Sequence, residues 1–84
     1  MSAEDLRVPT DSEIARALRE QAGISKEAPL GFSYYRDGNG VRVNATGGAW
    51  GVYELPLVSG DVPPGEGIVS AVKTSEQPVA LGRR

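Results

Sequence analysis

Aromatic and arginine side chains are the residues of this chain best suited to molecular recognition, and most of them fall in stretches that alternate like β-strands. Tyrosine, tryptophan and arginine are frequent at protein interfaces because each combines a large contact area with a polar group. We therefore predict that five side chains form a binding surface: Tyr35, Arg36, Arg42, Trp50 and Tyr53. A small sheet with one thin helix cannot cover both of its faces. Tyr35 and one of Trp50 and Tyr53 should therefore stay exposed, and the sequence leaves open which of the two it is.

Cysteine and histidine, which carry much of enzyme chemistry, are both absent from the chain. Disulfides, thiolate metal sites and imidazole acid–base catalysis are therefore excluded. The carboxylates show no recognisable catalytic pair, since Glu54, in a predicted strand near Trp50, stands alone. We predict that the protein is not an enzyme and that it uses no cofactor, no metal and no small-molecule substrate.

The glycine-rich stretches are too short for phosphate binding. Residues 38–40 and 47–48 lack the lysine and the following helix of a P-loop. Asp37, Asn39 and Asn44 offer oxygen ligands, but no glutamate follows at the spacing of a calcium-binding EF-hand loop. Both stretches are better interpreted as turns between strands.

Residues 15–27 resemble the opening of a helix-turn-helix repressor, with a helix, a turn at Gly23 and Ser25 as the cap of a second helix. Pro29 and Gly31 would stop that second helix, so no recognition helix is expected. Residues 1–27 carry six acidic and four basic side chains, a net charge of −2, and residues 28–84 carry five of each. Without a basic stripe to neutralise phosphates, we do not expect a nucleic-acid partner.

The size of the chain points to association. Its 84 residues allow one domain, which would bury about 60–65% of its unfolded surface and be only marginally stable. Eleven glycines and six prolines make it rich in turns, so the core should be smaller than the length suggests. Because disulfides are excluded, we expect self-association or docking onto a protein partner to complete the fold.

One helix is predicted, over residues 11–22, after an arm at residues 1–9 that is either flexible or docked. Thr10 is a favourable N-cap and Glu13 stands three residues later, which is the pattern of a capping box. Gly23 suits the position after the last turn. The apolar residues recur at helical spacing and form a narrow stripe: Ile14, Ala17, Leu18 and Ala22.

Four or five antiparallel strands are predicted after the helix. Residues 37–40 (DGNG) are a hairpin signal that could close with Asp37-Gly38, with Asn39-Gly40 or with all four residues as the loop. All three closures place the same residues on one buried face: Leu30, Phe32 and Tyr34 with Val41, Val43 and Ala45. Further strands are expected at residues 49–55 and 68–73, with a loop at 59–67 between them and a short strand or tail at 78–81. Together these elements predict an α+β fold with a meander sheet, in one domain over residues 10–84.

These observations favour a non-catalytic structural or protein-interaction subunit of a larger assembly. A virion accessory or connector protein of a bacterial virus is one concrete form, in which the arm and the loop at 59–67 would be contact elements. The alternative is a small regulatory or inhibitor protein that binds one protein partner, and a DNA-binding regulator is less favoured. The acidic N-terminus lacks the apolar run of a signal peptide, so we expect a cytoplasmic or virion protein with no membrane partner.

Overall fold

The computed structural model describes residues 6–75. Along the chain it has one helix and six strands in that range: β1 (Leu6–Arg7), α1 (Asp11–Ala22), β2 (Leu30–Asp37), β3 (Gly40–Gly47), β4 (Gly51–Pro56), β5 (Val58–Ser59) and β6 (Val72–Ser75). The strands form a four-stranded antiparallel sheet in the order β2-β3-β4-β6 and a two-stranded pair of β1 with β5. The predicted α+β class, with an N-terminal helix followed by a meander, is confirmed.

The helix begins and ends where its local signals predict. The Thr10 hydroxyl accepts the Glu13 N–H at 3.3 Å, and the Glu13 carboxylate accepts the Thr10 N–H at 2.7 Å, which completes the capping box. Gly23 ends the helix in the left-handed conformation, with φ of 69°, and its N–H reaches the Arg19 carbonyl at 2.8 Å. After α1 the chain makes a turn in which Ala28 N–H bonds to Ser25 O, and no second helix follows within residues 24–75.

The hairpin between β2 and β3 has the register of the predicted four-residue closure, with one further pair at its end. Asp37 pairs with Gly40, which leaves a two-residue loop of Gly38 and Asn39, and Gly38 takes a positive φ of 65° that suits glycine. The register keeps the predicted faces of the two strands. Tyr34 lies opposite Val43, and every second residue along each strand points to the same side of the sheet.

The core lies between α1 and one face of the sheet, which we call the inner face. Ile14, Ala17 and Leu18 of the helix form one buried cluster with sheet residues Val41, Val43, Ala45, Tyr53 and Leu55. Phe32 is half-buried against this cluster. Tyr34, predicted in the core, is instead 38% exposed, because β2 is the edge strand and has a neighbouring strand on one side only.

The C-terminal part of the described chain departs from the predicted strand at residues 68–73. The ladder begins only at Val72, yet residues 68–71 still alternate between exposed and buried side chains. Ser70 and Ala71 line a shallow cavity with Ala17 of the helix, so this alternation reflects packing beside α1 and not pairing with another strand. The predicted strand or tail at 78–81 lies outside the described residues.

The predicted arm contacts its own chain where the structure describes it. Leu6 pairs with Ser59 and Arg7 with Val58, next to the loop that follows β5. Pro9, which links this strand to the helix, is fully buried. Residues 1–5 of the predicted arm lie outside the described residues. Between residues 6 and 75, no helix has both the length and the apolar composition needed to cross a membrane.

Candidate protein-interaction surface

The face of the sheet opposite the helix carries a row of four side chains, one from each strand. Tyr35 lies opposite Arg42, Arg42 opposite Glu54, and Glu54 opposite Val72. Residues directly opposite one another in antiparallel strands point to the same side of a sheet. We call this row, Tyr35, Arg42, Glu54 and Val72, the outer row.

Arg42 is held at the centre of the outer row by carboxylates on two sides. Its Nη2 donates to the Glu54 carboxylate at 2.7 Å, and its Nε donates to the Asp37 carboxylate at 3.3 Å. Both carboxylates are half-exposed, whereas the arginine is about two-thirds covered. The guanidinium is therefore oriented but still open to solvent, a favourable starting point for contact with a partner.

A groove of about 420 Å³ runs beside this arginine, at the end of the sheet near the β2–β3 hairpin. Charged groups of Asp37, Arg42 and Glu54 line it together with the apolar side chains of Pro56 and Val72. The groove combines apolar area with a few fixed polar groups, and Arg42 is of a residue type that is enriched at protein interfaces. The groove is suited to receive a partner side chain.

The five predicted binding residues are distributed over four places. Tyr35 is half-exposed and lies beside Arg42 in the outer row. Arg36 is opposite Val41, on the inner-face side, and its Nε donates to the Gly38 carbonyl at 3.3 Å. Trp50 immediately precedes β4 and is 51% exposed.

Tyr53 is only 1% exposed, and the register explains why. It pairs with Val43 on the inner face and belongs to the core. The ambiguity between Trp50 and Tyr53 is therefore resolved in favour of Trp50 as the exposed residue. Because both sides of the 49–55 segment carry large side chains, its sequence pattern alone did not distinguish the two faces.

Two members of the outer row were missed by the reasoning from sequence. The sequence identifies Glu54 only as an isolated carboxylate and Val72 only as part of the predicted strand at residues 68–73, whereas the structure leaves Val72 61% exposed. The alternation of β3 and β4 contains the signal for Glu54, since an arginine and a glutamate on the same face attract when they are opposite. That signal needs the register of the β3–β4 hairpin, which the sequence does not specify.

A second cluster of charged and polar groups surrounds Glu13 at the helix N-terminus. The Glu13 carboxylate is fully buried and accepts bonds from both terminal nitrogens of Arg7, each at 2.9 Å. It also accepts the backbone N–H groups of Thr10 and Gly67. We call these four residues, Arg7, Thr10, Glu13 and Gly67, the Glu13 cluster.

The Glu13 cluster strongly favours the ionised carboxylate. The hydrogen bonds from Arg7 hold the pKa of Glu13 far below its ordinary value of 4.5, and those from Thr10 and Gly67 add to this, whereas burial acts in the opposite direction. A fully buried carboxylate with four donors is not available as a base for a substrate. We therefore interpret the cluster as structural: Arg7 also donates to the carbonyls of Val62 and Pro63, which fastens the strand β1 and the loop after β5 to the helix.

Ile68, which follows Gly67 of this cluster in the chain, is unusually exposed. Gly67 is held on both sides, since its N–H donates to Glu13 and its carbonyl accepts from Arg16. Ile68 follows it and is 94% exposed, between the buried residues Gly67 and Val69. An isoleucine presented in this way on a fixed backbone is a second candidate contact.

No protein-family model, curated protein or solved structure matches this chain. Within the part of the chain that the structure describes, no group of three or more carboxylate, histidine or cysteine side chains is arranged to hold a metal ion. The candidate sites are therefore interpreted from their own geometry.

Proposed function

We propose that the protein is a non-catalytic interaction subunit of a larger assembly and that it binds a protein partner through the outer row and its adjoining groove. The observation that carries the proposal is the outer row itself. It places an oriented Arg42–Glu54 pair between two exposed side chains of large apolar area, Tyr35 and Val72. A virion accessory or connector protein of a bacterial virus remains one concrete form of such a subunit.

The chemistry of the row supports a protein partner over other ligands. Tyr35 and Arg42 are the residue types that most often dominate binding energy at interfaces. Arg42 already has two carboxylate neighbours, so the groove has no excess positive charge with which to attract a phosphate backbone. A partner that contacts the row would cover apolar area on Tyr35 and Val72 and would complete the hydrogen bonding of Asp37 and Glu54.

The test uses a photo-crosslinking amino acid at single positions of the full chain, expressed in the organism from which the sequence comes. Incorporation at Val72 should give one adduct of defined mass, while incorporation at Glu20, on the exposed side of α1, should give none. The captured protein is then purified and titrated against the chain. We expect Arg42→Glu to weaken that binding at least tenfold and Glu20→Arg to leave it unchanged. Equal crosslinking at both positions, or binding that Arg42→Glu does not weaken, would overturn the proposal.

A second function, a small inhibitor or regulator that binds one partner through its loop, is favoured by one observation. Ile68 is almost completely exposed on a backbone that Glu13 and Arg16 hold in place, and pre-organised loops lose little entropy when they bind. The same crosslinking experiment separates the two functions. An adduct at position 68 with none at Val72, together with binding of the captured protein that Ile68→Asp weakens, would favour the inhibitor.

A further inference from the structure

We propose that a second copy of this chain pairs with the free edge of β2, strand against strand and antiparallel, about a two-fold axis at Ser33. The resulting dimer would join two four-stranded sheets into one continuous sheet. This inference rests on the edge of the sheet and is independent of the partner proposed for the outer row.

Among the described residues, nothing pairs with the outer edge of β2, and the strand lacks the usual protection of an edge. The strand is the terminal member of the order β2-β3-β4-β6, and no strand within residues 6–75 pairs with its other side. It runs for eight residues, from Leu30 to Asp37, in an uninterrupted register with β3 and without proline or lysine. Edge strands that remain unpaired are normally short, bulged, proline-containing or charged along their length, and here both charges stand at one end, at Arg36 and Asp37.

The hairpin determines which backbone groups of β2 face outward. A two-residue loop closes on a hydrogen-bonded pair, here Asp37 and Gly40, and such pairs then recur at every second residue. Gly31 belongs to this set, in agreement with its carbonyl accepting from the Thr46 hydroxyl of β3 at 3.3 Å. The N–H and C=O groups that point away from β3 are therefore those of Leu30, Phe32, Tyr34 and Arg36.

One antiparallel register uses all of these outward groups. A two-fold axis at Ser33 places Phe32 opposite Tyr34 of the second copy, and Leu30 opposite Arg36 of the second copy. Each such pair exchanges two hydrogen bonds, which gives about eight bonds across the new edge. A shift of the axis toward either end of the strand leaves some outward groups without a partner, so the centred register is favoured.

The side chains of β2 fit this register as well. Opposed Cα atoms at the axis approach to about 4.5 Å, and the residue there, Ser33, is small. On the other side of the sheet, the existing Phe32–Tyr34 contact, with ring centroids 5.9 Å apart, would extend to four aromatic rings in a row. Tyr35 of one copy would lie opposite Gly31 of the other and cover the space beside that glycine.

The charges of the edge also favour a second copy over an unrelated extended peptide. The Arg36 side chains of the two copies stand at opposite ends of the pair, about 20 Å apart, so like charges do not meet. Arg36 would lie opposite the uncharged Leu30 of the other copy, and Arg36 and Asp37 together are neutral, so this register brings no like charges together. The surface is therefore self-complementary, which is the requirement for a two-fold interface.

The experiment places a cysteine in the full chain, which has none of its own. Ser33→Cys should form a disulfide-linked dimer under mild oxidation, because the proposed Cα separation lies in the range that disulfides need. Ser70→Cys, at an exposed position beside α1, is the matched control and should form no disulfide-linked dimer. Light scattering after size exclusion should show a dimer for the unmodified chain.

A charge exchange then tests the axis itself. Ser33→Lys and Ser33→Glu should each be monomeric, because like charges would face each other at the axis, and an equimolar mixture of the two should recover the dimer. A monomeric unmodified chain at all concentrations, or a dimer that survives Ser33→Lys and is not linked by Ser33→Cys, would overturn the proposal. Since Ser33 is outside the outer row, crosslinking at Val72 in the Ser33→Lys variant tests the proposed function separately.

Discussion

Two clusters in this molecule contain ion pairs between an arginine and carboxylates, and the clusters differ mainly in how deeply the carboxylates are buried. In the Glu13 cluster, Arg7 meets Glu13 at 2.9 Å with both terminal nitrogens, and the carboxylate is fully buried. In the outer row, Arg42 meets Glu54 at 2.7 Å and Asp37 at 3.3 Å, with both carboxylates half-exposed. From these distances alone, the two clusters would be expected to contribute equally to the stability of the fold.

The difference in burial predicts opposite roles. An exposed ion pair is screened by water and contributes between zero and about 1 kcal/mol to stability. A buried carboxylate depends on its partners, because removing one leaves an uncompensated group in the interior at a cost of about 3–5 kcal/mol. The Glu13 cluster should therefore serve the fold, whereas the outer row is left available for binding.

The largest expected effect is the loss of Glu13. Glu13→Ala removes the carboxylate that Arg7 and the N–H groups of Thr10 and Gly67 share, so we expect the free energy of unfolding to fall by about 3–5 kcal/mol. Urea denaturation measures it. Glu20→Ala, at an exposed position of the same helix, is the control and should change stability by less than about 0.5 kcal/mol.

If Glu13→Ala does not fold, Glu13→Gln provides the measurement, because it keeps the shape and one acceptor oxygen. Equal stability losses for the Glu13 and Glu20 variants would contradict the structural role of the cluster.

The second expected effect is a dependence of the free energy of unfolding on pH. The folded state holds the pKa of Glu13 below the ordinary 4.5 of the unfolded chain, so its stabilising contribution is complete above pH 4.5 and declines as the pH falls. A single proton limits this decline to about 1.4 kcal/mol per pH unit. Denaturation at a series of pH values from 6 to 2 should show it, and in Glu13→Gln the slope due to this residue should vanish. An unchanged slope would assign the acid sensitivity to other groups.

A smaller effect is expected from crowding the cluster at Gly67. A Cβ at this position would stand 2.6 Å from a Glu13 carboxylate oxygen and 2.7 Å from a Val58 methyl carbon, so Gly67→Ala should lower the unfolding free energy by about 1–3 kcal/mol. The matched control is Ser70→Ala, three residues along the same segment and exposed. Thermal unfolding of both variants measures the effect. Equal losses of stability in the two variants would show that the loop does not depend on close contact with Glu13.

The smallest effect on stability should come from the outer row. Arg42→Ala removes two exposed ion pairs, and we expect a loss of no more than about 1 kcal/mol, which should shrink further in high salt. Denaturation at low and high salt measures it. A loss as large as that of Glu13→Ala would mean that the outer row supports the fold, and the contrast between the two clusters would fail.

The two clusters also differ in how far the sequence predicts them. The capping box, with Thr10 three residues before Glu13, is a local pattern and was predicted completely. The bonds from Arg7 and Gly67 were not, since Gly67 lies 54 residues away in the chain and no periodic pattern marks it. Part of the outer row was predicted, because Tyr35 and Arg42 share a parity across one hairpin.

The sequence by itself determined the class of fold, the bounds of α1 and the inner parity of β2 and β3. These features depend on interactions over a few residues, namely helix capping, turn residues and alternation. Only the tertiary structure decided that Glu13 is buried, that Trp50 rather than Tyr53 is exposed, and that Val72 completes the outer row. These outcomes depend on which distant segments meet, and burial is a property of the whole packed chain that no local pattern records.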